Sequence, residues 1–399
     1  MIHQLLCTSV LRSVLSVGLL SLASLSFIGC GLKLPEIKPV DYERFDLSEL
    51  EPIAFPPRPA AQLVSANAAE YIVDLGIPDG QPGHDSEVRV ILPHPTPSGK
   101  VPALIVNGAG AYLFSGMVLS DEDIEPLLPY VEQGFAVIAY ETDGCQPDFD
   151  RDPTASDIAQ MTRRYVASKA GLINAQHALS YALEKFPEID ADQLYTIGHS
   201  SGAKQALLLA AHDDRIRGCV GFAPACQMDF GSQMTVARIG GGDAAKLSYE
   251  VNRSMPLVHA KNTKVPMLLL YSSSDQVTRP AEVLTYAKAV GKNAVAVPVK
   301  CSGHGSVPDA GYKFALSWLR AQTQSNAGSS VDPKLAGLDE VDHETTAAQE
   351  PTTPVSYQDV VTPAVRLPQS TGPKPVQMPG GLDSGSNSDS VQSNPYFAS

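Results

Sequence analysis

The 399-residue sequence has few of the features that mark nucleic-acid-binding or metal-binding proteins. It holds 29 Lys and Arg against 43 Asp and Glu, a formal net charge of −14, whereas binding to nucleic acid needs clustered basic side chains. It contains no H-E-x-x-H motif, no cysteine pair at metal-ligand spacing and no Walker loop. We therefore expect no nucleic-acid partner, no metal and no cofactor.

An apolar run near the N-terminus, Val14–Leu25, is too short for a membrane span and is typical of a signal peptide. It leads into Phe27-Ile28-Gly29-Cys30, which resembles a bacterial lipobox, where the cysteine is lipidated and becomes the new N-terminus. Phe27 stands where leucine is usual, so an ordinary signal peptide remains the alternative. The sequence predicts export, with a lipid anchor on Cys30 at the periplasmic or cell-surface side of a membrane, or otherwise secretion.

Composition divides the chain after the signal peptide, residues 1–29, into three segments. Residues 30–65 are rich in proline, which predicts a semi-extended tether. Residues 66–323 are long enough for one catalytic domain with a sizeable core. Residues 324–399 are acidic and rich in Ser, Thr, Pro and Gly, so they bury too little apolar surface to offset the entropy of ordering. We predict no structure for this tail.

Cysteine is sparse in the predicted domain. Apart from Cys7 and Cys30 near the N-terminus, four cysteines remain: Cys145, Cys219, Cys226 and Cys301. Export permits disulfides, and four cysteines allow three pairings among which the sequence does not choose. A plain buried thiol is an equally good prediction for Cys219, which lies in an apolar run.

Short apolar runs alternate with helical patterns through the middle segment, which predicts an α/β fold with a doubly wound, mostly parallel sheet. The predicted strands are Val88–Leu92, Pro102–Val106, Phe135–Tyr140, Leu194–Ile197, Cys219–Phe222, Met267–Tyr271 and Ala294–Val299. The predicted helices are a short one capped by Ser120, a long amphipathic stretch over Asp157–Phe186, and Gly202–Ala211, Ala281–Val290 and Tyr312–Gln322. Residues 226–263 interrupt the alternation, and either a small cap over the site or a longer crossover helix would account for them.

The strongest motif is Gly198-His199-Ser200-Ser201-Gly202, which lies between a predicted strand and a predicted helix. In this context G-x-S-x-G predicts a tight strand-to-helix turn that exposes a nucleophilic serine, Ser200. Gly198 and Gly202 are needed because a Cβ at either position would collide with the crowded turn. We expect His199 to pack against neighbouring strands rather than to take part in chemistry.

A serine is a weak nucleophile unless a base takes its proton, and the base needs an orienting acid. In a fold of this kind the order is nucleophile, acid, histidine, which makes Asp275 and His304 the candidates. Asp275 is the last of the polar residues that follow a predicted strand. A doubly wound sheet presents functional groups at this end of its strands. His304 lies between two glycines in a loop after the last strand. The rival bases are His212, at the far end of the nucleophile helix, and His259, which could face substrate.

A tetrahedral intermediate needs two N–H donors for its oxyanion. One donor is expected to be the backbone of Ser201, the residue after the nucleophile. The other is expected from Asn107-Gly108-Ala109-Gly110-Ala111-Tyr112, which resembles the His-Gly-Gly-Gly loop of esterases with Asn107 in place of His. By that match Ala109 donates, with Gly110 as the alternative. A glycine-rich turn without a catalytic role is the other interpretation.

Residues from about 70 to 322 resemble the α/β-hydrolase superfamily, and most of all its dienelactone-hydrolase and prolyl-oligopeptidase-like (S9-like) branches with their small bacterial esterases. The serine motif, the later acid and histidine, and the loop after Val106 carry this resemblance. There are two departures. Dienelactone hydrolases have cysteine where this chain has Ser200, and the chain has no length for the β-propeller of prolyl oligopeptidases.

The resemblance implies acyl transfer by a Ser-His-Asp mechanism and names no substrate. A carboxylic ester, small or polymeric, is the first expectation. A serine exopeptidase of the same superfamily is the second, although no acidic pair for binding a peptide N-terminus is recognisable. A catalytically inactive binding protein at the cell surface is a third interpretation, and the presence of Ser200, Asp275 and His304 opposes it.

Overall fold

The computed structural model describes residues 42–48, 50, 52–110, 112–146 and 151–326. The predicted signal peptide, the lipidation site Cys30 and nearly all of the predicted tail lie outside these residues. The fold lies in the unit of the chain that begins at Arg44. Within the described residues, no helix has both the length and the apolar character needed to cross a membrane.

Nine strands form one sheet in the order β1-β2-β3-β5-β4-β6-β7-β8-β9. The strands are β1 (Gln62–Ser65), β2 (Ala68–Asp74), β3 (Glu87–Pro93), β4 (Val101–Asn107), β5 (Ala136–Tyr140), β6 (Ile189–His199), β7 (Ile216–Phe222), β8 (Met267–Tyr271) and β9 (Ala294–Pro298). The pairs from β5 to β9 are all parallel, whereas β3 is antiparallel to both β2 and β5 and β1 is antiparallel to β2. The prediction of a mostly parallel sheet is confirmed.

Helices cover both faces of this sheet. They are α1 (Asp121–Ile124), α2 (Leu128–Glu132), α3 (Ala155–Ala167), α4 (Leu172–Lys185), α5 (Ser200–His212), α6 (Phe230–Gly240), α7 (Ala244–Arg253), α8 (Pro256–His259), α9 (Pro280–Val290) and α10 (Val307–Asn326). Successive side chains of a strand point to opposite faces, so Ile138 lies in one apolar core and its neighbour Val137 lies in the other. All five residues of β5 are buried, which explains why its sequence is continuously apolar rather than alternating.

The predicted helix over Asp157–Phe186 is two helices, α3 and α4. Between them Lys169, Ala170 and Gly171 have φ of 54°, 60° and 77°, all in the left-handed region that ends a helix. A Cβ on Gly171 would lie 2.4 Å from Gln205 Nε2, so α5 packs directly against this break. The amphipathic period continues across the break, and for that reason the sequence pattern does not reveal it.

The edge strand β1 and its neighbour β2 are not among the predicted strands. β1 falls inside the predicted tether, and Phe45, also in that segment, is buried in the larger core. β1 is short and three of its four residues are exposed, so it carries no period-two alternation that a sequence pattern could show.

Residues between β7 and β8 are helical, and they include α6, α7 and α8. Asp229 caps α6 by accepting a hydrogen bond from the backbone N–H of Ser232 (3.0 Å). A third apolar cluster joins Val236 of α6 and Val251 of α7 to Ala159 of α3 and to Phe114. Because Phe114 follows β4 by only a few residues, this helical insertion packs against the loop that carries the predicted oxyanion residues.

Candidate active site

Ser200 occupies a strained turn between β6 and α5. Its φ is +55°, in the left-handed region that a residue other than glycine rarely adopts. A Cβ on Gly198 would lie 2.5 Å from the backbone of Gly202, and a Cβ on Gly202 would lie 2.5 Å from the carbonyl oxygen of Asn107. Both flanking positions therefore need glycine for the steric reason that the motif predicted.

Asp275 and His304 lie in contact. His304 Nδ1 is 2.8 Å from Asp275 Oδ2, and Asp275 is only 2% exposed. The other carboxylate oxygen, Oδ1, accepts backbone hydrogen bonds from Val277 (2.8 Å) and Thr278 (3.0 Å). Burial alone would raise the pKa of Asp275, but the hydrogen bonds from His304, Val277 and Thr278 outweigh it and lower this pKa. An ionised Asp275 accepts a hydrogen bond from Nδ1–H of His304, and this tautomer leaves the Nε2 lone pair available to act as a base.

His199 connects this pair to the serine turn. It immediately precedes Ser200, and its ring centroid lies 4.6 Å from that of His304. Its Nε2 donates a hydrogen bond to the backbone oxygen of His304 (3.1 Å). Burial and the neighbouring His304 lower the pKa of His199 to about 4, so the ring is neutral at physiological pH. The prediction that His199 packs against neighbouring strands did not include this contact with His304. Nothing in the sequence indicates which loop the His199 side chain faces.

A second connection runs through the segment after β7. The Thr278 hydroxyl lies 3.0 Å from the backbone oxygen of Ala223, and the backbone N–H of Ala225 donates to the backbone oxygen of Ser200 (3.2 Å). Contacts between neighbouring loops therefore link Asp275, His304 and Ser200 at the carboxyl ends of β6, β7 and β8. Open α/β sheets bind ligands at this edge.

The loop after β4 is held against the first turn of α5. The backbone N–H of Gly110 donates to Ser201 Oγ (2.6 Å), and that hydroxyl donates to the backbone oxygen of Gly110 (3.1 Å). Asn107 anchors the start of the loop by donating from Nδ2 to the backbone oxygen of Tyr140 (2.8 Å). The backbone N–H of Gly110 is therefore already engaged, and the neighbouring Ala109 is exposed.

The sequence profile of the dienelactone hydrolase family matches residues 116–315, half of the chain. The protein belongs to the dienelactone hydrolase family. The matched range contains Ser200, Asp275 and His304, whereas the loop that carries Ala109 precedes it. A comparison with curated proteins finds no match.

Several solved structures are similar to this dienelactone hydrolase family member. Acetyl xylan esterase from Paenibacillus sp. R4 is 16% identical, with a TM-score of 0.49, over 67% of this chain and 89% of the esterase. Acetyl xylan esterase 1 from Thermoanaerobacterium sp. is 18% identical, with a TM-score of 0.42, over 62% of this chain and 83% of that one. Pyrococcus horikoshii acylaminoacyl peptidase is 16% identical, with a TM-score of 0.45, over 59% of this chain. The match spans only 39% of the peptidase.

The two rival histidines of this family member lie together at another place. His212 is twelve residues after Ser200 on α5, about 18 Å along the helix at 1.5 Å per residue. The ring centroids of His212 and His259 are 4.6 Å apart, and both rings contact Phe45. His212 Nδ1 is 2.8 Å from the backbone oxygen of Leu208, and His259 Nε2 is 2.7 Å from that of Arg253. The structure therefore brings neither histidine to Ser200.

The sequence predicts no metal site in the domain and leaves the state of its cysteines open. No cluster of three or more His, Cys, Asp or Glu suited to a metal ion occurs in the part of the chain that the structure describes. The four cysteines of the domain are free thiols, and Cys219 and Cys226 are buried. Of the two alternatives left open for Cys219, a disulfide and a plain buried thiol, the structure shows the buried thiol.

Proposed function

We propose that this protein is a serine hydrolase that cleaves carboxylic esters through an acyl-enzyme on Ser200. The observation that carries the proposal is the contact between His199 and His304, because it attaches the Asp275–His304 pair to the residue next to Ser200. The left-handed backbone of Ser200 supports the same conclusion, since strain of this kind is concentrated at functional sites. Membership of a hydrolase family agrees with it.

In the proposed reaction Ser200 Oγ bonds to the ester carbonyl carbon while its proton moves to His304 Nε2. Asp275, ionised and buried, stabilises the imidazolium that forms. The carbon–oxygen bond to the alcohol then breaks, and the alkoxide leaves with the proton from His304. Water then attacks the carbonyl carbon of the acyl-enzyme and gives a proton to His304. The bond from this carbon to Ser200 Oγ breaks, Oγ takes the proton back from His304, and the carboxylic acid is released.

The negative oxygen of the tetrahedral intermediate is assigned to the backbone N–H groups of Ser201 and Ala109. Ser201 lies in the first turn of α5, where backbone N–H groups have no partner inside the helix. Ala109 precedes Gly110, whose own N–H is held by Ser201 Oγ. The Ser201 hydroxyl thus connects the start of α5, which supplies one N–H donor, to the loop that supplies the other. This connection supports the assignment.

Residues 226–263 are proposed to act as a cap beside the substrate. Their helices share an apolar cluster with Leu113 and Phe114, which follow the loop of Ala109. Phe230 and Met234, four residues apart on α6, are 68% and 41% exposed, and such apolar side chains suit contact with an acyl or aromatic group. Replacing both by serine should raise KM for esters with long acyl chains more than for acetyl esters. An equal effect on both would contradict the cap.

Activity is tested by labelling the full-length protein with a fluorophosphonate and measuring the intact mass beside Ser200→Ala. The expected result is one adduct, which the substitution abolishes. Hydrolysis of p-nitrophenyl esters and of aminoacyl p-nitroanilides then separates the esterase from the exopeptidase. If the folded wild-type protein forms no adduct, the hydrolase proposal fails and the binding-protein interpretation takes its place.

We also propose export with a lipid on Cys30, on the strength of the sequence at residues 27–30. Metabolic labelling with a radioactive fatty acid should mark the wild-type protein in a bacterial host. Equal labelling of Cys30→Ala would contradict this proposal without affecting the one on catalysis.

A further inference from the structure

Lys204 lies in the interior of the domain, four residues after Ser200 on α5. The residue is 2% exposed, and burial lowers the pKa of its amine to about 7. Its Nζ donates to the backbone oxygen of Leu113 (2.6 Å), bonds the hydroxyl of Tyr165, and lies 4.5 Å from the centre of the Tyr165 ring. Across the described residues, no carboxylate lies within ion-pair distance of this amine.

The hydrogen-bond directions around Lys204 follow from its neighbours. The Tyr165 hydroxyl donates to Gln205 Oε1 (3.2 Å), so it accepts from Lys204. Gln205 Nε2 donates to the backbone oxygen of Ala170 (2.7 Å), which fixes the orientation of the Gln205 amide. Lys204 therefore uses two N–H groups, one toward Leu113 and one toward Tyr165.

A buried amine without a carboxylate partner is a poor way to stabilise a fold. Taking an ammonium out of water costs several kcal/mol, and an apolar side chain of similar length avoids this cost. The two hydrogen bonds return only part of it. Lys204 joins α5 to the segment that contains Leu113 and to Tyr165 of α3.

A second connection between α5 and the residues after β4 lies one turn earlier on the helix, at Ser201. Ser201 Oγ holds the backbone of Gly110 through two hydrogen bonds, and Lys204 holds the backbone of Leu113. Residues three apart lie on one face of a helix. The first two turns of α5 thus hold both Gly110 and Leu113, and Ala109 directly precedes Gly110.

We propose that Lys204 is a positioning residue that, together with Ser201, holds the oxyanion loop on the nucleophile helix. The role in catalysis rests on the proposed esterase function, whereas the attachment of the loop does not. The loop must keep the Ala109 N–H on the developing oxyanion, and misplacement by about 1 Å costs on the order of 100-fold in rate. Lys204 acts through the backbone of the loop and does not touch substrate.

The test uses full-length Lys204→Met, which keeps the length of the side chain and removes its donors. Amide hydrogen exchange over residues 108–117 should become faster, while the midpoint of urea unfolding stays equal or rises because no amine is buried. On p-nitrophenyl acetate, kcat should fall roughly 10-fold to 100-fold with KM little changed, as expected when an interaction is lost mainly in the transition state. Leu208→Met, one turn further along the buried side of α5, is the matched control and should leave exchange in the loop unchanged.

Lys204→Gln keeps an N–H donor on a shorter side chain and should recover part of the rate. If Lys204→Met does not fold, the same measurements are made on Lys204→Gln. Unchanged exchange in residues 108–117 overturns the proposal, whatever happens to kcat. Faster exchange with an unchanged kcat overturns the catalytic part. If wild-type protein shows no Ser200-dependent hydrolysis, the esterase proposal has failed, and the exchange data still decide whether Lys204 holds the loop.

Discussion

At the scale of single residues, both oxygens of Asp275 are held in place. Oδ2 faces His304 Nδ1 and also accepts from the Thr278 hydroxyl (2.9 Å), while Oδ1 accepts two backbone N–H groups. Four donors around one buried carboxylate stabilise its ionised form and fix its direction. In the proposed mechanism the acid is thus oriented before any substrate binds, and it sets both the tautomer and the direction of His304.

Asp275→Asn tests this arrangement. The amide keeps the shape of the carboxylate but loses its charge, so it stabilises neither the required tautomer nor the imidazolium of His304. We expect kcat for ester hydrolysis to fall by about 100-fold to 10,000-fold, with a smaller loss than in His304→Ala. Steady-state kinetics of the two variants beside Ser200→Ala provide the comparison. An Asp275→Asn enzyme with wild-type kcat would mean that another carboxylate is the acid.

At the scale of elements, the junction of β6 and α5 depends on close backbone approach. Gly202 lies so near the end of β4 that any side chain would meet the Asn107 carbonyl oxygen. The same approach brings the loop after β4 within hydrogen-bond distance of Ser201. The turn that exposes Ser200 and the loop that carries Ala109 are therefore placed by a single packing contact.

The substitution Gly202→Ala should push the start of α5 away from the end of β4. The added Cβ would lie 2.5 Å from a backbone oxygen, which forces the main chain to move. We expect a loss of about 1–3 kcal/mol in the free energy of unfolding, together with a loss of most ester hydrolysis. Urea unfolding and kcat measure the two effects. Gly242→Ala is the control, because a Cβ there meets no atom within 4 Å and its φ is not in the left-handed region; equal behaviour of the two variants would refute the packing argument.

At the scale of the whole molecule, the segment before β1 is packed against the domain. Phe45 contacts the rings of His212 and His259, and Arg253 stacks on Phe45 at 4.3 Å from its centre. Arg44 donates to the backbone oxygen of Ala211 (2.7 Å). Burial lowers the pKa of His212 to about 4 and also lowers that of His259, and the charges of Arg44 and Arg253 add to the effect.

The stability of the protein should therefore fall as the solution becomes acidic. Between the ordinary histidine pKa of 6.5 and about 4, the unfolded chain binds a proton that folded His212 does not. The free energy of unfolding must then decrease as pH drops through this range. His212→Phe, which removes the titrating group, should show a smaller loss between pH 7 and pH 5 in urea unfolding. Equal pH dependence in the two proteins would show that His212 does not titrate as proposed.

The sequence predicted the features that local geometry controls. Continuous apolar runs marked the buried parallel strands, and Met267–Tyr271 is β8 residue for residue. The glycines around Ser200 follow from one crowded turn, and Asp275 and His304 follow from chain order in a fold already indicated by that turn. Helix α3 ends at a left-handed break that leaves the apolar period intact, so the pattern could not show it.

By itself the sequence determined the α/β fold and the serine turn, because short segments encode strand burial and tight turns, and it indicated Asp275 and His304 as the proposed acid and base. The tertiary structure alone decided that His199 faces His304, that Ser201 engages Gly110, and that Lys204 is buried beneath Leu113. These contacts join residues about 90 to 105 positions apart in the chain. Which distant loop meets a given side chain depends on how the sheet orders its strands, and no local pattern records that order.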